Sequence, residues 1–159
     1  MRDTALLDTN VLLLWLVGLT DPDLFLTFKR VNTFNNDDFL LLVRFLESFE
    51  ALITTPHVLA EVSNFVDQAP PYRRQELIAS FQMFAQKHAE HYEAAEILSR
   101  REEFPALALT DTGLAAMSSE AVVVTTDFHL WGRIQALGGK SVNFNHLRTS
   151  QFPHSSTKN

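Results

Sequence analysis

The chain has 159 residues, 46% apolar and 20% charged, with 5 Gly and 6 Pro. Such a chain makes one ordinary domain that buries roughly 70% of the surface it exposes when unfolded, and collagen-like, low-complexity and wholly disordered classes are excluded. Cys is absent and the formal charge is −6, so thiol redox chemistry, disulfides and thiolate zinc sites are out, and any polyanion must be held locally.

Ala5 to Leu7 reads as a short apolar strand, followed by Asp8-Thr9-Asn10 and a helix over Val11 to Leu16 packed on that strand. The apolar run ends at Val17, far short of the roughly 20 residues that span a bilayer. Asp3 and Asp8 stand where a signal peptide would carry a basic leader, so no membrane contact and a cytoplasmic location are expected. Leu24 to Arg30 and Phe39 to Phe49 look helical, the second with Asp37 and Asp38 at its start. Ala51 to Thr54 is a second strand. Thr55-Pro56 supplies an N-cap and a first-turn proline for a helix over His57 to Asp67, and Pro70-Pro71 blocks its continuation.

Tyr72 to Lys87, Glu90 to Arg101 and Leu109 to Met117 follow as helices, the middle one ending near Pro105. Ala121 to Thr125 is the clearest buried strand, because Val122-Val123-Val124 is β-branched throughout. Phe128 to Leu137 returns to helix, Gly138-Gly139 ends it, and Ser141 to Phe144 is a last short strand. One domain over residues 1–148 is expected, with a frayed polar tail over 149–159. Strands separated by helices predict an α/β fold with a mostly parallel sheet covered on both faces. Ligands bind beyond the carboxyl ends of such strands, where Asp8 and Asp127 fall.

Asp8, Asp111 and Asp127 each precede a helix, so each has a plain alternative role as an N-cap. Glu61 does not, because it lies beyond the first turn after Pro56. At about 100° per residue it falls about 40° outside the apolar arc formed by Val58, Leu59, Val62, Phe65 and Val66, which makes it a residue of the core's rim.

The segments Leu6-Leu7-Asp8-Thr9-Asn10-Val11-Leu12-Leu13, Thr55-Pro56-His57-Val58-Leu59-Ala60-Glu61-Val62, Leu109-Thr110-Asp111-Thr112-Gly113-Leu114 and Val124-Thr125-Thr126-Asp127 together resemble the PIN-domain nucleases, a family that includes VapC-type toxins. Order and spacing agree across residues 5–144. The resemblance implies a three-layer α/β/α fold with about five strands and an acidic, Mg²⁺- or Mn²⁺-dependent ribonuclease site. Asp8, Glu61 and Asp111 match the family's three acids and Asp127 its more variable fourth. Asn10 matches the polar residue after the first acid, and Thr125 or Thr126 the hydroxyl residue before the last. The spacing from Asp8 to Glu61 is somewhat long for the family, and the stretch between Glu61 and Asp111 aligns with no family motif, which leaves substrate choice and partner contacts open.

A cation also follows from electrostatics. Two carboxylates about 5 Å apart repel by roughly 3 kcal/mol at an effective dielectric near 20, so four packed together need a cation or protons. Oxygen ligands and the absence of Cys favour Mg²⁺ or Mn²⁺ over zinc. Such an ion orients and acidifies a water for in-line attack on a phosphodiester. In this reading Asp8 and Asp111 are the principal ligands, Glu61 binds directly or through water, and Asp127 supports a second ion or the attacking water. By family analogy the products carry a 5′ phosphate and a 3′ hydroxyl.

Competing chemistries lack their residues. The six His include no His-Glu-x-x-His pair, and no Gly-x-Gly-x-x-Gly or Walker lysine occurs. A haloacid-dehalogenase-like phosphatase needs a second Asp where this chain has Asn10. Lys29-Arg30, Arg73-Arg74 and Arg100-Arg101 read as solvated helix faces that could touch phosphates, and Arg133, six residues past Asp127, is the candidate RNA backbone contact. Thirteen Phe, with Phe25, Phe28, Phe34, Phe39, Phe45 and Phe49 crowded into the first third, exceed what a small core readily absorbs, so most are expected in the core and some on a dimer or antitoxin surface. The alternative from another class is a non-catalytic PIN-like module that binds RNA or a protein.

Overall fold

A computed structural model of the chain describes residues 3–151. Five parallel strands, β1 (Thr4–Leu7), β2 (Ala51–Thr54), β3 (Ala89–Glu90), β4 (Val122–Thr125) and β5 (Ser141–Asn143), form one sheet in the order β3-β2-β1-β4-β5. Helices α1 (Thr9–Thr20), α2 (Leu24–Thr27), α3 (Asn36–Leu46), α4 (Pro56–Val66) and α5 (Arg74–Lys87) connect the strands that step outward from β1 to β3. Helices α6 (Ala95–Leu98), α7 (Phe104–Met117) and α8 (Phe128–Ala136) serve the return to β4 and β5, and α9 (Phe144–Gln151) follows. Crossovers between parallel strands are right-handed, so reversing direction puts the two groups on opposite faces and gives the three-layer α/β/α architecture.

The direction reverses between β1 and β4, whose register pairs Leu6 with Val123 and Leu7 with Val124. Both strands are buried from either side, which is why they read as unbroken apolar runs. Helix α1 is buried on nearly every side, from Val11 to Val17 except at Trp15. A Cβ on Gly18 would lie 2.1 Å from the Phe39 ring, so glycine there is what lets α3 pack against α1. Among the described residues no helix is long and apolar enough to cross a membrane.

Several elements depart from the sequence expectations. The helix expected over 90–101 is instead an edge strand followed by an extended stretch, and only Ala95–Leu98 is helical. Ile53 pairs with Ala89 and Thr54 with Glu90, and the His91 N–H donates to the Thr54 carbonyl over 2.8 Å; ladder bonds outweigh the segment's helical composition. The segment 24–30 is broken at Phe28, whose extended backbone (φ −104°, ψ 107°) turns its side chain into the core before a 3₁₀ turn at Lys29–Val31. Helix α3 starts early, on a capping box between Asn35 and Asp38, and ends before Phe49.

Phe144 begins a helix rather than ending a strand, and Thr149 to Gln151 continue that helix instead of fraying; the rest of the expected tail lies outside the described residues. Arg148 secures α9 by a two-pronged pair with the buried Asp38 carboxylate, at 2.9 and 3.1 Å. The Phe-rich first third does not form an outer surface. Phe25, Phe28, Phe34 and Phe39 are buried, and Phe45 and Phe49 pack against the core. Among the described residues the exposed phenylalanine is Phe128, at 64%.

Candidate functional site

The carboxyl end of β1 delivers Asp8. Its backbone N–H continues the sheet by donating to the Val124 carbonyl over 2.9 Å. One carboxylate oxygen then caps α1, accepting from the Thr9 N–H at 2.7 Å, while the other accepts from the Thr125 hydroxyl at 2.7 Å. One oxygen thus serves the N-cap role weighed from sequence, and the other is held by Thr125. Asp8 is 8% exposed. Burial, the largest influence, raises its pKa above the usual carboxylate range; the Thr125 and Thr9 hydrogen bonds oppose that rise, and the negative charges of Asp127 and Glu61 add to it.

Asp127 follows β4 and caps α8, where a single oxygen accepts from the His129 and Leu130 N–H groups at 2.8 and 3.1 Å. Its other oxygen, Oδ2, takes no hydrogen bond among the described residues and the side chain is exposed. Thr125 works on both acids, since its hydroxyl oxygen also accepts from the Asp127 N–H at 2.9 Å. The hydroxyl expected at Thr125 or Thr126 is thus Thr125. Thr126 contributes a backbone carbonyl to Asn145 instead.

Glu61 projects from α4 on the rim position that its helical angle predicts. Val58, Val62 and Val66 are buried beneath it, and it is exposed. Its Oε2 accepts from the Thr9 hydroxyl at 2.7 Å, which ties α4 to the first turn of α1 across fifty-two positions. Thr9, a link between the candidate acids, was passed over by sequence reasoning; its one signal is its place between Asp8 and Asn10. Asn10 itself is exposed.

Asp111 comes from the opposite layer, on α7. That helix is interrupted at Ala108, which holds φ 60° and ψ −171°, a region occupied almost solely by glycine. The Thr112 hydroxyl donates to the Ala108 carbonyl, and Asp111 lies one turn past the break, half-buried. Burial first, then the charges of Asp8, Asp127 and Glu61, push its pKa up to about 7. Asp8 and Asp111 thus lie within electrostatic reach of each other and of both Glu61 and Asp127, at the point where the strand order reverses.

The cluster is short of positive charge but not closed. Among the described residues no group of three or more Asp, Glu or His side chains stands close enough to hold one metal ion. The donors suit a hard cation, being carboxylates with no sulfur among them. Arg133 is exposed in the last turn of α8, where a cation complements the helix dipole; among the described residues it makes no ion pair. Comparison with family models, with curated proteins and with solved structures finds no match to this chain.

Proposed function

We propose that this chain is a PIN-like, divalent-metal-dependent endoribonuclease that hydrolyses RNA phosphodiester bonds. The observation that carries this reading is the linkage of Asp8, Glu61 and Asp127 through Thr9 and Thr125 at the carboxyl ends of β1 and β4, with Asp111 near enough to feel their charges. Asp8 and Asp111 are the principal ligands in this reading, with Glu61 and Asp127 beside them. These carboxylates would hold Mg²⁺ or Mn²⁺, which when bound would supply an acidified water and neutralise charge on the phosphodiester. Thr125 fixes the Asp8 carboxylate, Thr9 fixes Glu61, and the free Oδ2 of Asp127 faces solvent as an acceptor for water. RNA as the substrate, the 5′ phosphate product and a toxin role opposed by an antitoxin rest on the sequence resemblance; the cytoplasmic setting rests on the short apolar run and the early acids Asp3 and Asp8, and the homodimer on the abundance of Phe in the first third.

The purified protein, incubated with structured and unstructured RNA in Mg²⁺, Mn²⁺ or chelator, tests this reading. Cleavage is expected with metal, and Asp8→Asn or Asp111→Asn should abolish it. Equal cleavage by wild type and variants would reject the mechanism. One observation favours a second reading, a non-catalytic module of the same fold: no three carboxylates are drawn together for one ion among the described residues. RNA binding with no metal-dependent cleavage would select it.

A further inference from the structure

Beside the acidic centre lies a half-open cavity of about 810 Å³, walled by the 3₁₀ turn on one side and by the link between α4 and α5 on the other. Lys29, Arg30 and Arg74 line it, together with Asn10 and Gln68. Arg73, Arg100, Arg101, Lys140 and Arg148 each lie within ion-pair distance of a carboxylate. The three cations of the cavity do not, among the described residues. Arg30 donates to the neutral Gln68 amide oxygen at 3.1 Å and lies over the Phe65 ring. Arg74 donates twice to the Ala69 carbonyl, at 2.6 and 2.9 Å.

Neutral acceptors thus aim the guanidinium groups without cancelling their charge. In a protein of net charge −6, three uncompensated cations around one cavity are a local anion site. Asn10 connects this cavity to the acids, because it is two residues from Asp8 and so within about 7 Å of it along the chain. Pockets of 300–1,000 Å³ hold drug-sized ligands, so this one takes a nucleotide or two of unpaired strand while a duplex stays outside. Tyr72 stands at its edge, 53% exposed, its hydroxyl 2.8 Å from that of Thr27 in the lining, where a base can stack on the ring.

We propose that this cavity binds the phosphates of a single-stranded nucleic acid through Lys29, Arg30 and Arg74, and so feeds an unpaired strand past Asn10 to the acidic centre. The assignment rests on the nuclease reading for the fate of the strand, but its test does not. Binding of a labelled, unstructured oligoribonucleotide to the full chain is measured in chelator, where no hydrolysis enters, across a range of salt concentrations. Three phosphate contacts on a single strand contribute a slope of about −2 in log K against log salt, a roughly twentyfold loss between 50 and 200 mM.

Lys29→Gln should reduce the slope by about 0.7, and the triple variant with Arg30→Gln and Arg74→Gln should remove all three contributions. Arg30 and Arg74 also brace their neighbours, so Lys29→Gln, which breaks no observed bond, is the decisive variant; Lys29→Arg should restore the slope. Arg100→Gln, on a distant exposed ion pair, should change nothing. A Lys29→Gln protein of unaltered melting temperature with unaltered affinity and slope would overturn the assignment, as would equal affinity for a duplex of the same length. Binding of polyglutamate without binding of the oligonucleotide would overturn it in favour of an acidic protein partner. If the strand binds as expected but Asp8→Asn leaves cleavage unchanged, the cavity stands and the nuclease reading falls.

Discussion

The chain carries two charged neighbourhoods that are built in opposite ways. At the carboxyl ends of β1 and β4, acids lie within electrostatic reach of Asp8 and Asp111 and are steadied by hydroxyl and backbone donors from Thr9, Thr125 and the first turns of α1 and α8. In the cavity beside them, cations are aimed by amide and carbonyl acceptors from Gln68 and Ala69. In both places the fold supplies orientation and withholds the countercharge. An ion pair completed inside the protein has little left to offer a ligand, whereas an oriented, uncompensated charge does. Such sites cost stability when empty, and the difference in sign indicates which ligand each would take.

The largest expected effect lies on the acidic side. Asp8→Asn or Asp111→Asn should lower metal-dependent cleavage by more than about a hundredfold, while Lys29→Gln should weaken strand binding and leave the single-turnover rate at saturating RNA close to wild type. Thr125→Val comes next. It removes the hydroxyl that donates to Asp8 and steadies the Asp127 backbone, and loss of such a supporting bond costs about 10- to 100-fold in metal affinity or activity. Calorimetric titration of Mn²⁺ into wild type and variant reads the first number; unchanged affinity would reduce Thr125 to a packing residue.

In chelator, the acidic centre should also make stability depend on pH with a definite sign. Burial and the neighbouring acids push the Asp111 pKa up to about 7 in the fold from its ordinary value of 3.8, so between those values the folded state holds a proton that the unfolded state has released. Stability in chelator should therefore fall as pH rises from about 4 to about 7 and stay low above that. Asp8, also raised, contributes with the same sign. Melting temperatures at pH 5 and pH 8 measure the fall. Asp111→Asn should flatten it and raise the melting temperature at pH 8, and saturating Mg²⁺ should do the same to wild type by binding the folded state alone, by about 2.7 kcal/mol at a hundred times the dissociation constant. A melting temperature that climbs from pH 5 to pH 8 in chelator would contradict the crowded-acid picture.

These two regions were not equally legible in the sequence. Asp8 and Asp127 could be placed because each ends an apolar run that can only be a buried strand, and such strands point their following residues into the ligand crevice. Helical angle placed Glu61 at the rim of α4, where it lies. Asp111 was indicated by resemblance alone, because its position depends on the break at Ala108, a positive φ with no Gly to announce it. The cation cavity was opaque: Lys29-Arg30 and Arg73-Arg74 are ordinary surface pairs until the crossover from α2 to α5 brings Lys29, Arg30 and Arg74 around one space. The edge strand β3 was missed for a related reason. Two residues of pairing to β2 decide its conformation, and no periodicity is visible over two residues.

Ala108 also offers the finest test of how the acidic side is held. Its conformation costs a residue with a Cβ of order 1–3 kcal/mol, a cost borne one turn before Asp111. Ala108→Gly removes the clash and should raise the melting temperature by an amount equivalent to about 1 kcal/mol, the freer unfolded chain offsetting part of the relief. If the break serves to set Asp111 toward the other acids, the same change should loosen that placement and lower Mn²⁺ affinity a few-fold while the protein grows more stable. Opposite movements in the two measurements would mark the strain as part of the site. A gain in stability with no loss of affinity would mean that Thr112, bonded back to the Ala108 carbonyl, holds the turn without help from the strained residue.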